Sequence, residues 1–375
     1  MKSNYEPLVS YPSQLAQKSI LPRRHASAGL VERDSIICET IVIRISSLSV
    51  LILLLLACTH SRCGIADETG SNKPDKPKLR AFQLDYGASL DHLPTGARVS
   101  VWMPVPQSNE HQTITLLETD LPAEEKIATE PIYGNKILYV ETKAPRSGSL
   151  KFNTTYLVRR SEVRGLSSQG GKKELTGEQR NLFLAANRKV PLKGKQLALL
   201  KGVAFSTDPQ SNARKLYDLV DDHVRYDKSQ PGYGNGDVLW VCDSRFGNCT
   251  DFHSLFISLS RAKGLPARFE IGFPLPPVRG EGTINGYHCW AWFYTQEKGW
   301  VPVDISEADK HPEMKEYYFG NLTEDRVGFT FGRDLNLVPK QNGAPLNFFV
   351  YPYVEVDGKA WPGDKLTTSL KYKDL

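Results

Sequence analysis

Gly247-Asn248-Cys249-Thr250-Asp251-Phe252 stands at the head of an apolar run, Leu255-Phe256-Ile257-Ser258-Leu259. The run predicts a buried helix from Cys249 to about Lys263, stopped by Gly264 and Pro266. A thiol in the first turn of a helix lies at the positive end of the macrodipole, which favours the thiolate. The unsatisfied N–H groups of that turn can also hold an oxyanion when a carbonyl is attacked. Gly247 lets the chain turn tightly ahead of the thiol. Asp251 reads as a first-turn carboxylate that satisfies backbone N–H groups rather than as a catalytic group.

Downstream, Tyr287-His288-Cys289-Trp290-Ala291-Trp292 and Gly299-Trp300-Val301-Pro302-Val303-Asp304 read as two aromatic strands. The short connection around Gln296-Glu297-Lys298-Gly299 makes them antiparallel. His288, Trp290, Trp292 and Tyr294 share one face of the first strand, and Trp300, Pro302 and Asp304 share one face of the second. His288 and Asp304 lie on a common face only if the loop holds an odd number of residues or a bulge intervenes. A three-residue loop with Gly299 at positive φ meets that condition. An imidazole can then take the proton of Cys249, and a carboxylate can hold that imidazole in one tautomer. His253, four residues after Cys249 on the same helix face, competes for the role of base. It could also pair with Cys249 on a metal, with Cys242, His288 or Cys289 as further ligands. No CxxC or HExxH spacing supports a metal, so none is expected, and His253 is read as packed beneath the site.

The rest of the chain divides by pattern. Residues 67–80 form a polar, Pro-interrupted linker. From 81 to 165 the period is two, in Phe82–Tyr86, Ala97–Trp102 and Leu150–Tyr156, with turn signals between, and a small β-sandwich is expected. Residues 166–375 hold the Cys, His and Asp elements and C-terminal edge strands. Ala213, Leu216, Tyr217, Val220 and Val224 fall at helical spacing, with Ser211 the expected cap and Thr176 the cap of a preceding helix. Gly232-Tyr233-Gly234-Asn235-Gly236 is too irregular for a phosphate cradle and reads as a plain mobile loop, and Pro274-Leu275-Pro276-Pro277 begins a loop running to Gly286.

The 375 residues are 40% hydrophobic and 24% charged, with a net charge of +5. That supports two folded domains with a solvated, mixed-charge surface and argues against nucleic-acid binding. Residues 1–66 look like a targeting segment. Arg44 precedes an uncharged, largely apolar run, Ile45 to Cys58, whose apolar part is too short to span a bilayer comfortably and fits a secretory signal. Leu55-Leu56-Ala57-Cys58 resembles a lipoprotein cleavage box with Cys58 as the lipidated residue. Gly64-Ile65-Ala66 offers a second cleavage point, and an uncleaved membrane anchor is the remaining option. Cys38, Cys58 and Cys63 lie in or near that segment, which leaves Cys242, Cys249 and Cys289 in the folded part. An odd set in an exported protein points to a free reactive thiol, against a Cys242–Cys289 disulfide or inert packed thiols.

Taken in order, Gly247-Asn248-Cys249, Gly264-Leu265-Pro266-Ala267-Arg268, His288-Cys289-Trp290 and Gly299-Trp300-Val301-Pro302-Val303-Asp304 resemble the transglutaminase-like superfamily of papain-related cysteine enzymes. The resemblance covers about residues 205–310. It implies an α+β class, with a papain-like transglutaminase core, helix packed on antiparallel sheet, preceded by a β-sandwich. It makes Cys249 the nucleophile, His288 the general base and acid, and Asp304 the group that orients His288. Arg225-Tyr226-Asp227 is similar to the family's R-W-D run, so Tyr226 becomes an oxyanion donor beside the Cys249 N–H. A core Tyr at a helix end is the competing reading. The Cys after the His departs from the family pattern, and no acidic cluster implies calcium. The expected function is an exported Cys-His-Asp acyl-transfer enzyme. It would act on peptide or glutamine-type amides through a thioester, by hydrolysis or transamidation, without a cofactor. Its partner would be a protein or peptide substrate in the periplasm or cell envelope. The alternative is a non-catalytic peptide or envelope-polymer binder whose aromatic face is Trp240, Trp290, Trp292 and Trp300.

Overall fold

The computed structural model describes residues 76–167 and 174–375. The targeting segment, Cys38, Cys58, Cys63 and most of the linker lie outside the described residues. Strand alternation in the N-terminal half builds two five-stranded antiparallel sheets. The first runs in the order Glu281–Thr283, Leu366–Asp374, Leu79–Leu90, Leu150–Ser161, Gln112–Asp120. The second runs Lys359–Ala360, Tyr353–Val356, Arg98–Val105, Lys136–Lys143, Glu125–Thr129. Phe82, Leu84 and Tyr86 of the first sheet and Val99, Val101 and Val140 of the second enter one core. Alternate residues of the central strands Leu79–Leu90 and Arg98–Val105 are apolar and buried, so the period-two pattern turns one face of each sheet toward the core. The C-terminal strands, expected with the core, instead pair with Leu79–Leu90 and Arg98–Val105. Their side chains complete the sandwich core with Leu370, Tyr372, Val354 and Val356.

A third antiparallel sheet, in the order Gly299–Val303, His288–Thr295, Ala267–Pro274, Arg326–Phe331, carries the aromatic pair read from the sequence. The helix Cys249–Ala262 packs on it, with every residue from Cys249 to Arg261 buried. Phe252, Leu255, Phe256 and Leu259 share their core with Cys289, Ala291 and Phe293. On the opposite face, Trp290 and Trp292 both donate their indole N–H to Glu270, at 2.7 and 2.6 Å. His111 from the N-terminal half stacks on Trp292 at 5.7 Å. The Gln112 amide both accepts from the Gly328 N–H and donates to its carbonyl, at 2.9 Å each.

Two local expectations change. Helix Pro209–His223 is capped by Asp208, not Ser211, with Pro209 at its first position. The Asp208 carboxylate accepts from the Gln210 and Ser211 N–H groups, so Ser211 sits inside the first turn. Thr176 caps Gly177–Leu184 through a capping box with Gln179. Glu281–Thr283 is a strand inside the stretch expected as loop from Pro274 to Gly286. No helix among the described residues is long and apolar enough to cross a membrane.

Candidate active site

Thr295 faces Gly299 across the hairpin, so Gln296, Glu297 and Lys298 form a three-residue loop, and Gly299 takes φ +73°. The register sets Ala291 opposite Val303. Asp304, the next residue, therefore falls on the side of Trp290 and His288. It caps the helix Ile305–Lys310, accepting from the Glu307 N–H at 3.2 Å. His288 Nε2 donates to Asp304 Oδ2 at 2.7 Å. With Nε2 held by the carboxylate, Nδ1 is the ring atom left for the thiol. The Cys249 thiol lies close enough to the Cys289 and His288 side chains for both to hold it below its usual range. The three residues expected from the sequence thus meet, with Cys249 2%, His288 5% and Asp304 0% exposed.

Charge follows that geometry. Burial works against the Cys249 thiolate, but the hydrogen bonds from Cys289 and His288 and the imidazole charge hold the thiol well below its usual range. Burial likewise opposes the His288 imidazolium, yet Asp304 and the thiolate raise it to about 10. Burial would raise the Asp304 carboxyl, but His288 and Arg326 hold it far below the ordinary carboxylate range. These directions describe one thiolate–imidazolium pair anchored on a carboxylate.

Cys249 begins its helix after Asn248, whose side chain accepts from the Thr250 N–H at 2.9 Å. The Cys249 N–H finds no acceptor among the described residues, which leaves it as a donor toward the sulfur's reaction space. Asp251 accepts from the Asn248 N–H at 3.0 Å and from Gly234 and Gly236 N–H at 2.7 and 2.9 Å. The glycine-rich stretch is therefore clamped rather than the plain mobile loop expected. Arg333 and Asn347 add hydrogen bonds to the Asn235 carbonyl from the other side. Gly247 serves this clamp by size rather than φ, since a Cβ there would come within 2.5 Å of Asp251 Oδ2.

His253 is not the base. Its Nδ1 bonds the Cys249 carbonyl at 2.7 Å, and its Nε2 accepts from the Ile305 N–H at 3.0 Å. Nε2 must be unprotonated to accept, so the ring is neutral, and burial pushes it down to about 4. The ring ties the Cys249 turn to the residue after Asp304. Cys242, Cys249 and Cys289 are all free thiols. Cys289 Sγ lies 3.8 Å from both Thr250 Oγ1 and His253 Nδ1. Tyr226 reaches the site because Arg225–Tyr226 pairs in parallel with Phe246–Gly247. The half-buried ring lies under Lys310, 4.8 Å from its centroid. Burial and the nearby Cys249 charge push its phenol up.

Arg326, unremarked in the sequence, donates to Asp304 Oδ2 at 2.8 Å and lies over the Trp290 ring at 5.0 Å. No spacing rule announces it; it opens a short apolar strand directly after Glu324 and Asp325. Glu307 is a second unforeseen neighbour, 3.8 Å from His288 Nε2. His288, Asp304 and Glu307 offer donor atoms within 4.8 Å of one another. The Arg326 guanidinium on the same carboxylate oxygen opposes a cation there, so the set fits a metal poorly. Of the four tryptophans of the alternative aromatic face, Trp290 and Trp292 are buried, 0% and 2% exposed.

A helix-borne thiol joined to a strand-borne imidazole and a carboxylate, on an antiparallel sheet, defines a papain-like core. Residues 198–305 match the family model described as the transglutaminase-like superfamily. An uncharacterized protein of Haemophilus influenzae is 26% identical over 351 residues, covering 81% of this chain and 94% of its own. A protein of Cytophaga hutchinsonii, described as a candidate cysteine protease, superposes with a TM-score of 0.51 at 16% identity. It covers 80% of this chain and 93% of its own, and shares the fold. The periplasmic domain of TgpA from Pseudomonas aeruginosa covers 63% and 90% respectively at 15% identity. Its TM-score of 0.33 is too low for its geometry to be carried over.

Proposed function

We propose that the protein is a cysteine-dependent acyl-transfer enzyme acting on peptide or glutamine-type amides. The observation that carries this is the 2.7 Å His288–Asp304 bond beside a helix-start thiol that His288 holds below its usual range. Cys249 sulfur attacks the amide carbon, and the C=O π pair moves onto oxygen. The Cys249 N–H and the Tyr226 hydroxyl hold that oxyanion. His288 gives its proton to the nitrogen as the C–N bond breaks, leaving a thioester and an amine. Water or a second amine, deprotonated by His288, then resolves the thioester. Water is the simpler acceptor for a protein bathed in solvent. Asp304, restrained by Arg326, keeps the His288 Nε2–H in place.

The sequence before residue 66 supports export to the periplasm or cell envelope, by cleavage after Ala66 or lipidation at Cys58. Incubation with a panel of glutamine-containing peptides, followed by mass spectrometry, tests the chemistry. An acyl adduct on Cys249 that is lost in Cys249→Ala is the expected result. Full amide turnover by Cys249→Ala ends the proposal.

A further inference from the structure

Tyr287, immediately before His288, is absorbed by none of the roles above. Its hydroxyl lies between the side chains of both chain neighbours of Cys249. Asn248 Nδ2 donates to it at 3.0 Å, and Thr250 Oγ1 lies 3.1 Å away. Either hydroxyl can donate in the Thr250–Tyr287 contact. When Thr250 donates, the Tyr287 oxygen has two donors on its two lone pairs, and its own proton is available to an incoming oxygen. The ring is fixed by Phe348 at 5.6 Å and by Tyr351 at 6.1 Å. The Tyr287 N–H donates to the Tyr351 side chain. Burial and the adjacent Cys249 charge keep the phenol protonated.

We infer that Tyr287 is a further catalytic residue, whose hydroxyl donates a hydrogen bond to the carbonyl oxygen of the substrate as that oxygen becomes an oxyanion. The inference rests on the acyl-transfer reading of Cys249. The S–C bond forms, the C=O π pair becomes the oxyanion lone pair, and Tyr287 shares its proton without losing it. When the oxyanion collapses, the C–N bond breaks, the nitrogen takes a proton from His288, and the Tyr287 proton is back on its own oxygen. Asn248 and Thr250 hold the hydroxyl in register, so no reorganisation is needed at the moment of attack.

The test separates reactions that make an oxyanion from one that does not. 4-Nitrophenyl acetate acylates the thiol through a tetrahedral oxyanion, whereas iodoacetamide alkylates it by direct displacement at carbon. Tyr287→Phe keeps the ring against Phe348 and Tyr351. It is expected to lower the acylation rate by about 10- to 100-fold, with KM little changed. Its alkylation rate is expected to stay within about twofold, an allowance in keeping with a near-neutral removal of one partner at an intact fold. 3-Fluorotyrosine at position 287 keeps both packing and donor and should retain acylation. Unchanged acylation in Tyr287→Phe overturns the inference. An equal loss in acylation and alkylation overturns it too, because Tyr287 would then serve the thiolate or the fold. Failure of the underlying reading looks different: Cys249→Ala would retain full 4-nitrophenyl acetate turnover.

Discussion

Replacing Asp304 by asparagine removes one charge from a place where two cations use it. The carboxylate is 0% exposed and accepts from His288 Nε2 at 2.7 Å and Arg326 at 2.8 Å. Asparagine keeps the volume and can still accept from the Glu307 N–H, so the cap survives. Arg326, itself 3% exposed, loses its only acidic partner in hydrogen-bond contact among the described residues. Breaking a buried pair from one side costs about 3–5 kcal/mol, because the remaining charge is left desolvated. His288 loses the group that holds it at about 10, and its proton transfers become inefficient. General acid–base catalysis of this kind contributes about 10²–10⁴-fold to rate. Asp304→Asn is therefore expected to lose both stability and turnover, and the two losses can be separated. Adding Arg326→Met removes the orphaned guanidinium, and the double variant should recover most of the stability while staying inactive. Urea unfolding at pH 7 reads the first effect, and peptide turnover reads the second. A stability loss below about 1 kcal/mol for Asp304→Asn, the range of an exposed pair, would refute the buried-pair reasoning. So would a double variant no more stable than the single.

The pH dependence follows from the same groups. Alkylation of Cys249 by iodoacetamide should persist well below the free-thiol pKa of about 8.5; a rate that falls off near 8.5, as for a simple thiol, contradicts the ion pair. The His288 imidazolium is raised in the folded state, so its contribution is fully present below 6.5 and is lost as pH rises toward about 10. Cys249→Ala removes the opposing thiolate, so thermal melts from pH 6.5 to 10 should show Cys249→Ala losing more stability than Cys249→Ala with His288→Ala; parallel curves would contradict this. Asp251→Ala removes one acceptor from three backbone N–H groups, at about 1–3 kcal/mol for each left buried without a partner. Hydrogen exchange at Gly234 and Gly236 should quicken, and unchanged protection would show that the clamp lies elsewhere.

Much of the site could be read from the sequence because its parts obey short-range rules. Cys249 sits at a helix start announced by an apolar run, and loop parity sets the condition under which His288 and Asp304 share one face. The groups that went unread act across the fold. Arg326 reaches Asp304 from a strand 22 residues later, and Glu270 joins two indoles from the neighbouring strand. No period or spacing encodes such meetings. The glycine-rich stretch read as free because glycine removes side-chain contacts, while its real anchor is a backbone bond to Asp251. Apolar spacing that begins at Ala213 suggests Ser211 as the cap, whereas Pro209 at the first helical position marks Asp208. The tail strands alternate like any edge strand, and alternation does not name a partner.

The pairing of Leu79–Leu90 with Leu366–Asp374 has a consequence for synthesis. Residues at opposite ends of the described chain lie side by side, with Phe82 facing Asp374 and Leu90 facing Leu366. A ribosome must deliver nearly three hundred residues between them before that ladder can zip. Until then the nascent sheet exposes a long unpaired edge, open to strangers and chaperones alike. The segment bearing Cys249 emerges well before this closure, so the thiol would meet its surroundings while the half that buttresses it is still unfinished.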